Sequence, residues 1–121
     1  KAKYVAPAPL EKKLSANKSI EQVCVVGDGI PQPIALVTLS DLGKSRSKED
    51  LEASFKRTLE VTNPKFETHE RMKKIVVLDG EWTVDNGLLT PSMKIKRNHV
   101  EKMHKSNYVE WYEVSGKIVW A

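Results

Sequence analysis

Apolar positions along the chain fall into two rhythms, one of strands and one of helices. Ile20 to Val26 (IEQVCVV) is dominated by β-branched residues and closed by Gly27-Asp28-Gly29, which predicts a strand. Ile34 to Leu39 (IALVTL) predicts a second, and the Gly/Pro-rich GDGIPQP between them joins the two as an antiparallel pair. Leu51, Phe55 and Leu59 recur at four-residue spacing and so line one helix face over two turns. Ser47 stands before them as an N-cap, with Glu49 and Asp50 in the first turn, and Asn63-Pro64 stops the run. Leu10 and Leu14 mark a shorter helix whose first turn suits Pro9. Before it, Lys3 to Pro7 (KYVAP) reads as extended, because a residue preceding proline avoids the helical region.

Further along, Thr68 to Lys74 predicts a polar helical turn or two, Ile75 to Leu78 a buried strand, and Glu81 to Val84 another extended piece. A last helix is expected from about Asn98 to Lys105 with Val100 and Met103 inward, and the aromatic tail YVEWYEVSGKIVWA is expected to dock on the surface. Strands interleaved with helices predict an α+β domain: an antiparallel β pair plus a mixed sheet of about three strands, flanked by about three helices. Residues 1–121 are read as one domain.

Composition narrows the possibilities. The chain has 121 residues, 40% hydrophobic and 30% charged, enough for one core but not for a deep, self-contained substrate cleft. It begins at Lys1 rather than Met, so it is read as a piece of a longer chain. No apolar run approaches the roughly 18 residues of a membrane span. The lone cysteine, Cys24, cannot form an internal disulfide and fits a reducing compartment; its setting, QVCVV, marks it as a core thiol. Between Lys94 and Lys105 stand five basic residues and one acid, a surplus equal to the chain's whole net charge of +4. An anionic ligand, a nucleic acid or a solvated face would each explain such a segment.

Three motif fragments fail on their physics. GDGIPQP begins G-x-G after a strand, but a dinucleotide site needs a third glycine and a helix N-terminus, and Pro31 and Pro33 block the helix. LGKS, residues 42–45, resembles the end of a phosphate loop, but Thr38 stands where that loop needs its first glycine. His99 and His104 are five apart and diverge around a helix, and no zinc ligand set accompanies them. For nucleic acid, aromatic residues should interleave with the basic ones, and none lies between Lys94 and Lys105.

The stretch NGLLTPSMKIKRN, residues 86–98, remains. Thr90-Pro91 stiffens the approach to Lys94, Lys96 and Arg97, with Met93 and Ile95 interposed as expected anchors in apolar surface. In an extended segment Lys94 and Lys96 share a face, so spacing alone does not choose between them. Taken in order with KYVAPAPLEKKL and IEQVCVVGDGIPQPIALVTL, this stretch resembles the carboxy-terminal domain of the long-chain branch of AMP-forming acyl-CoA synthetases, over about Lys3 to Lys105. Each piece alone is weak; together, in order, they are specific. The resemblance implies a small cap domain on a large N-terminal adenylation domain of the same chain, and a long-chain-fatty-acid–CoA ligase as the parent enzyme. It implies fatty acid and ATP with Mg2+, bound mainly outside this piece, and coenzyme A as co-substrate; this piece alone is expected to be inactive. It implies one catalytic lysine just before the final helix, and Lys94 is its best match, with Lys96 and Arg97 as secondary basic residues. Most branches carry glycine before that lysine; here the residue is Met93. It also implies that the loop Lys3, Tyr4, Val5, Ala6, Pro7 meets the coenzyme A thiol after the domain rotates. The parent is expected in the cytoplasm, with peripheral attachment to a membrane as the alternative. No nucleic-acid partner and no metal site of its own are expected. Two alternatives stay open: a basic module binding nucleic acid or an acidic protein, and an interaction domain presenting Tyr108, Trp111, Tyr112 and Trp120.

Overall fold

The structure, a computed structural model, describes residues 4–121. Its centre is one four-stranded sheet: β1 (Ile20–Val26), β2 (Ile34–Leu39), β3 (Lys74–Val77) and β4 (Ile118–Trp120), in that spatial order. β1 and β2 are antiparallel, while β2/β3 and β3/β4 are parallel. The helices are α1 (Pro7–Leu14), α2 (Asp41–Lys44), α3 (Lys48–Thr62), α4 (Arg97–His104) and α5 (Tyr108–Glu113).

The two-residue period of a strand sorts side chains onto two faces, and here both faces are buried. Val23, Val25, Ala35, Val37, Ile75, Val77 and Ile118 face α1 and α3, meeting Leu10, Leu14, Leu51, Phe55 and Leu59. Cys24, Val26, Ile34, Leu36, Val76 and Val119 face the other way, onto Trp82, Leu88, Leu89, Val100, Tyr108 and Trp111. Parallel strands covered on both faces read as continuous apolar runs. The Ser47 side chain accepts the Asp50 amide at 3.1 Å and starts α3 as its N-cap.

Four expectations change. Pro7 is the first residue of α1 rather than the end of the extended loop, because a proline at that position loses no helical hydrogen bond and its φ is already set; Pro9 follows within the same turn. Residues 81–84 form no strand; Asn86 folds them into a turn, its Oδ1 accepting from the Thr83 and Leu88 amides and its Nδ2 donating to the Glu81 carbonyl. Met103 points outward, 59% exposed. The inward position one turn after Val100 is His104, half-buried, its ring centroid 5.8 Å from that of Trp111. The aromatic tail does not sit on the surface: it supplies α5 and the edge strand β4. Tyr108 and Trp111 enter the core, and the Trp120 indole donates to Glu52 on α3 at 2.7 Å. The buried Lys74 ammonium closes this unit by donating to the Val114 and Gly116 carbonyls between α5 and β4.

Burial pushes the Cys24 thiol up from 9.0 to about 12, with Arg97 pulling the other way. Burial likewise raises the Tyr108 hydroxyl, which has no hydrogen-bond partner among the described residues. Both groups stay neutral in the folded chain at a pH that ionises them in the unfolded one. A folded pKa raised above the unfolded value gives stability that is complete below the unfolded pKa and is lost as pH rises. The urea midpoint is therefore expected to hold up to about pH 9 and fall above it, less steeply in Cys24→Ala. A thiol reagent should label Cys24 only once denaturant is added. Rapid labelling of the native chain would refute the burial.

Candidate functional site: the Lys94 hairpin and the Tyr4–Ala6 loop

The hairpin that carries Lys94 grows from two buried leucines. Leu88 and Leu89 lie in the core, Leu89 bridges Ile95 across the hairpin, and the Lys96 amide donates to the Leu88 carbonyl at 2.9 Å. Ile95 packs half-buried on the same core. At the turn, the Met93 amide donates to the Thr90 carbonyl (2.8 Å) and the Thr90 amide to the Lys94 carbonyl (2.7 Å). The Thr90 hydroxyl accepts the Lys94 amide at 3.0 Å and lies 3.1 Å from the Ser92 hydroxyl. The Lys94 backbone is thus held at both its polar atoms. Its side chain is exposed, and no carboxylate among the described residues pairs with it. Lys96 is half-buried.

Met93 does not anchor the loop: it is 59% exposed, with φ +68°. It occupies the left-handed position that follows the turn, where a side chain costs on the order of 1–2 kcal/mol and glycine costs nothing. The turn thereby supplies a physical reason for a glycine before the lysine. Met93→Gly is expected to leave the melting temperature within a few degrees of the parent chain, the relieved strain being offset by greater freedom in the unfolded chain. Met93→Val, β-branched in the left-handed region, should lose about 1–2 kcal/mol. Equal melting points for the Val and Met chains would contradict this backbone geometry.

The second loop precedes α1. Lys3 lies outside the described residues. Tyr4 is 82% exposed, Val5 packs on the α1/α3 face of the core, Ala6 is the N-cap of α1 without a side-chain hydrogen bond, and Pro7 begins the helix. Tyr4, Val5 and Pro7 form one wall of a groove of about 860 Å³. The loop Gly27 to Pro33 forms the other wall, and Arg97 reaches the groove from α4; Lys94 and Lys96 do not line it. Of the predicted site residues, Tyr4, Val5, Pro7 and Arg97 thus line the groove, while Lys94 and Lys96 do not.

Arg97 is not a free cation. Its Nη2 donates to both Glu11 carboxylate oxygens, at 3.0 and 2.8 Å, and its Nη1 to the Val25 carbonyl at 3.0 Å. Glu11 Oε2 also accepts the Val25 amide at 2.8 Å. Sequence reasoning missed this pair: Glu11 sits in a polar run, EKK, that reads as a solvated helix face, and its partner is 86 positions away. Lys105 pairs with Asp28. Two of the five basic residues in the segment are thus committed within the domain, which leaves Lys94, Lys96 and Lys102 instead of a continuous basic stripe for nucleic acid. Among the described residues no group of three His, Cys, Asp or Glu side chains stands close enough to hold a metal ion.

The AMP-binding enzyme C-terminal domain family matches residues 1–115. The long-chain-fatty-acid–CoA ligase FadD15 of Mycobacterium tuberculosis is 32% identical over 122 residues, covering 87% of this chain and 20% of that protein. The long-chain-fatty-acid–(acyl-carrier-protein) ligase AEE15 of Arabidopsis thaliana, a chloroplast protein, is 27% identical over 113 residues, covering 89% of this chain and 15% of that protein. In three dimensions the adenylation domain of a carboxylate reductase from Mycobacterium chelonae superposes with a TM-score of 0.75 at 18% identity, over 88% of this chain and 18% of that one. The chain spans a fifth or less of each curated relative named here. With the family matching nearly end to end and the fold agreeing, the chain belongs to the AMP-binding enzyme C-terminal domain family.

Proposed function

We propose that this domain serves a long-chain-fatty-acid–CoA ligase, supplying Lys94 for acyl-adenylate formation and the Tyr4–Ala6 loop with Pro7 for the thioester step. The observation that carries the first role is an exposed ammonium on a hairpin whose backbone is held at Thr90, Leu88 and Leu89. In the adenylation step a fatty carboxylate oxygen bonds to the α-phosphorus of ATP while the bond to the bridging oxygen breaks and pyrophosphate leaves. Two anions meet, and charge on the α-phosphate oxygens grows in the transition state. A compact ammonium between them offsets that repulsion more in the transition state than in the ground state. The remaining ATP and fatty-acid contacts belong to the adenylation domain. Magnesium usually takes one or two carboxylates together with substrate phosphates, and no step is assigned to it in this domain.

For the second step the domain turns its other surface to the adenylate. The thiol gives up its proton to solvent, the thiolate sulfur bonds to the acyl carbon, and the bond from that carbon to the phosphate oxygen breaks so that AMP leaves with the electron pair. The groove beside Tyr4, Val5 and Pro7 is open and partly apolar, and suits a thiol-bearing arm approaching along it. The direct test is release of pyrophosphate from ATP and palmitate by the full-length protein, followed by thioester formation when coenzyme A is added. This domain alone should release no pyrophosphate above background. Turnover by the domain alone, or no palmitate-dependent release by the full-length protein, would overturn the proposal.

A further inference from the structure

We propose that Arg97, gripping Glu11, is a positioning residue that sets where Lys94 stands relative to the body of the domain. The inference rests on the role given to Lys94 above. Lys94 has no side-chain partner among the described residues, so its ammonium is aimed by its backbone frame alone. That frame has two supports. One is the arm of Leu88 and Leu89. The other is the exit of the hairpin, where only Ile95 and Lys96 separate Lys94 from Arg97, the first residue of α4.

The Arg97 side chain reaches back over the unpaired outer edge of β1. There its guanidinium and the Glu11 carboxylate together satisfy both polar atoms of Val25: Glu11 takes the amide and Arg97 the carbonyl. The pair acts as a short substitute strand on that edge. Glu11 lies one turn into α1, which begins at Pro7 directly behind the Tyr4–Ala6 loop. One guanidinium therefore ties the hairpin, the sheet edge and α1 to a common frame. An exposed ion pair would contribute little, but the Glu11 side chain is only 16% exposed and that of Arg97 35%, and the contact is made by a planar fork with several donors in fixed directions. A lysine cannot reproduce that fork.

The test uses the full-length protein and a double-mutant cycle. Arg97→Lys should lower kcat for pyrophosphate release about tenfold with the KM for ATP unchanged, because misplacing a group that acts in the transition state slows the step without weakening ground-state binding. In a Lys94→Ala background the same change should cause no further loss, since there is no longer an ammonium to misplace. The same tenfold loss in both backgrounds would overturn the inference, as would an unchanged kcat with only a lowered melting temperature. Glu11→Gln, which keeps the carboxylate shape, should repeat the pattern more weakly and decides the matter if Arg97→Lys fails to fold. A normal rate for Lys94→Ala itself would sink the parent proposal and this inference with it. A slow Lys94→Ala with additive Arg97→Lys sinks only the inference.

Discussion

Lys94→Ala in the full-length protein is expected to slow acyl-adenylate formation about 100-fold or more, while thioester formation from ready-made acyl-adenylate proceeds at nearly the normal rate. The magnitude is that of removing one preorganised charge donor from a developing anion, about 2.7 kcal/mol. The expected selectivity follows from the proposed division of labour: Lys94 does not line the Tyr4 groove proposed for the thioester step, so losing its side chain leaves that groove's lining intact. Lys96→Ala should change both steps little, since the backbone contact of Lys96 with Leu88 survives the loss of its side chain. Ala6→Trp should reverse the pattern, because Ala6 stands in the chain between Val5 and Pro7, which line the groove, and an indole there is expected to obstruct a thiol-bearing arm. The measurements are pyrophosphate release and thioester yield from synthetic acyl-adenylate. Equal losses in both assays for Lys94→Ala would indicate a docking or folding defect. A large adenylation loss for Lys96→Ala with none for Lys94→Ala would transfer the role to Lys96.

What the sequence disclosed and what it hid divide along the range of the interactions. The N-cap at Ser47, the face Leu51/Phe55/Leu59 and the β1/β2 pair were legible because each depends on residues within a turn or a short loop. The edge strand β4 was not: three residues are too few to display a period, and its partner β3 lies over 40 positions upstream. Met103 and His104 compete for one inward position in a helix of two turns, and the apolar residue lost because its direction, not its hydropathy, was wrong. At the site, Thr90-Pro91 announced a stiff turn before the lysine, yet the left-handed φ of Met93 is a backbone property that a methionine conceals. The Arg97–Glu11 pair carried no local signal, since each residue alone looks like ordinary surface charge.

Gly43 offers the sharpest test of packing. Its motif, LGKS, fails as a phosphate loop, and the structure gives the glycine another purpose. A β-carbon built at Gly43 would stand 2.3 Å from the Ser19 carbonyl oxygen and 3.3 Å from Leu39 Cβ. That oxygen is not free to retreat: it accepts the Ser40 amide at 2.9 Å, and Ser19 is 1% exposed. α2 is pinned from the other side as well. The Ser40 hydroxyl accepts the Gly43 amide at 3.1 Å and donates to the Lys18 carbonyl at 2.6 Å, and Arg46 donates to the Ser19 hydroxyl at 3.0 Å. Gly43→Ala must therefore push α2 away from the start of β1 and break several of these bonds together. The expected loss is about 3 kcal/mol, or roughly 10 °C in melting temperature, although alanine is the better helix former. Gly27→Ala is the matched control. There the nearest heavy atom to a new β-carbon is Pro33 Cα at 3.6 Å, an ordinary contact, and the backbone is not left-handed. With no clash to relieve, the stiffer unfolded chain should leave Gly27→Ala unchanged or more stable by up to about 1 kcal/mol. Thermal unfolding of both variants decides the point: similar melting temperatures would mean that α2 does not press on Ser19 as the structure has it.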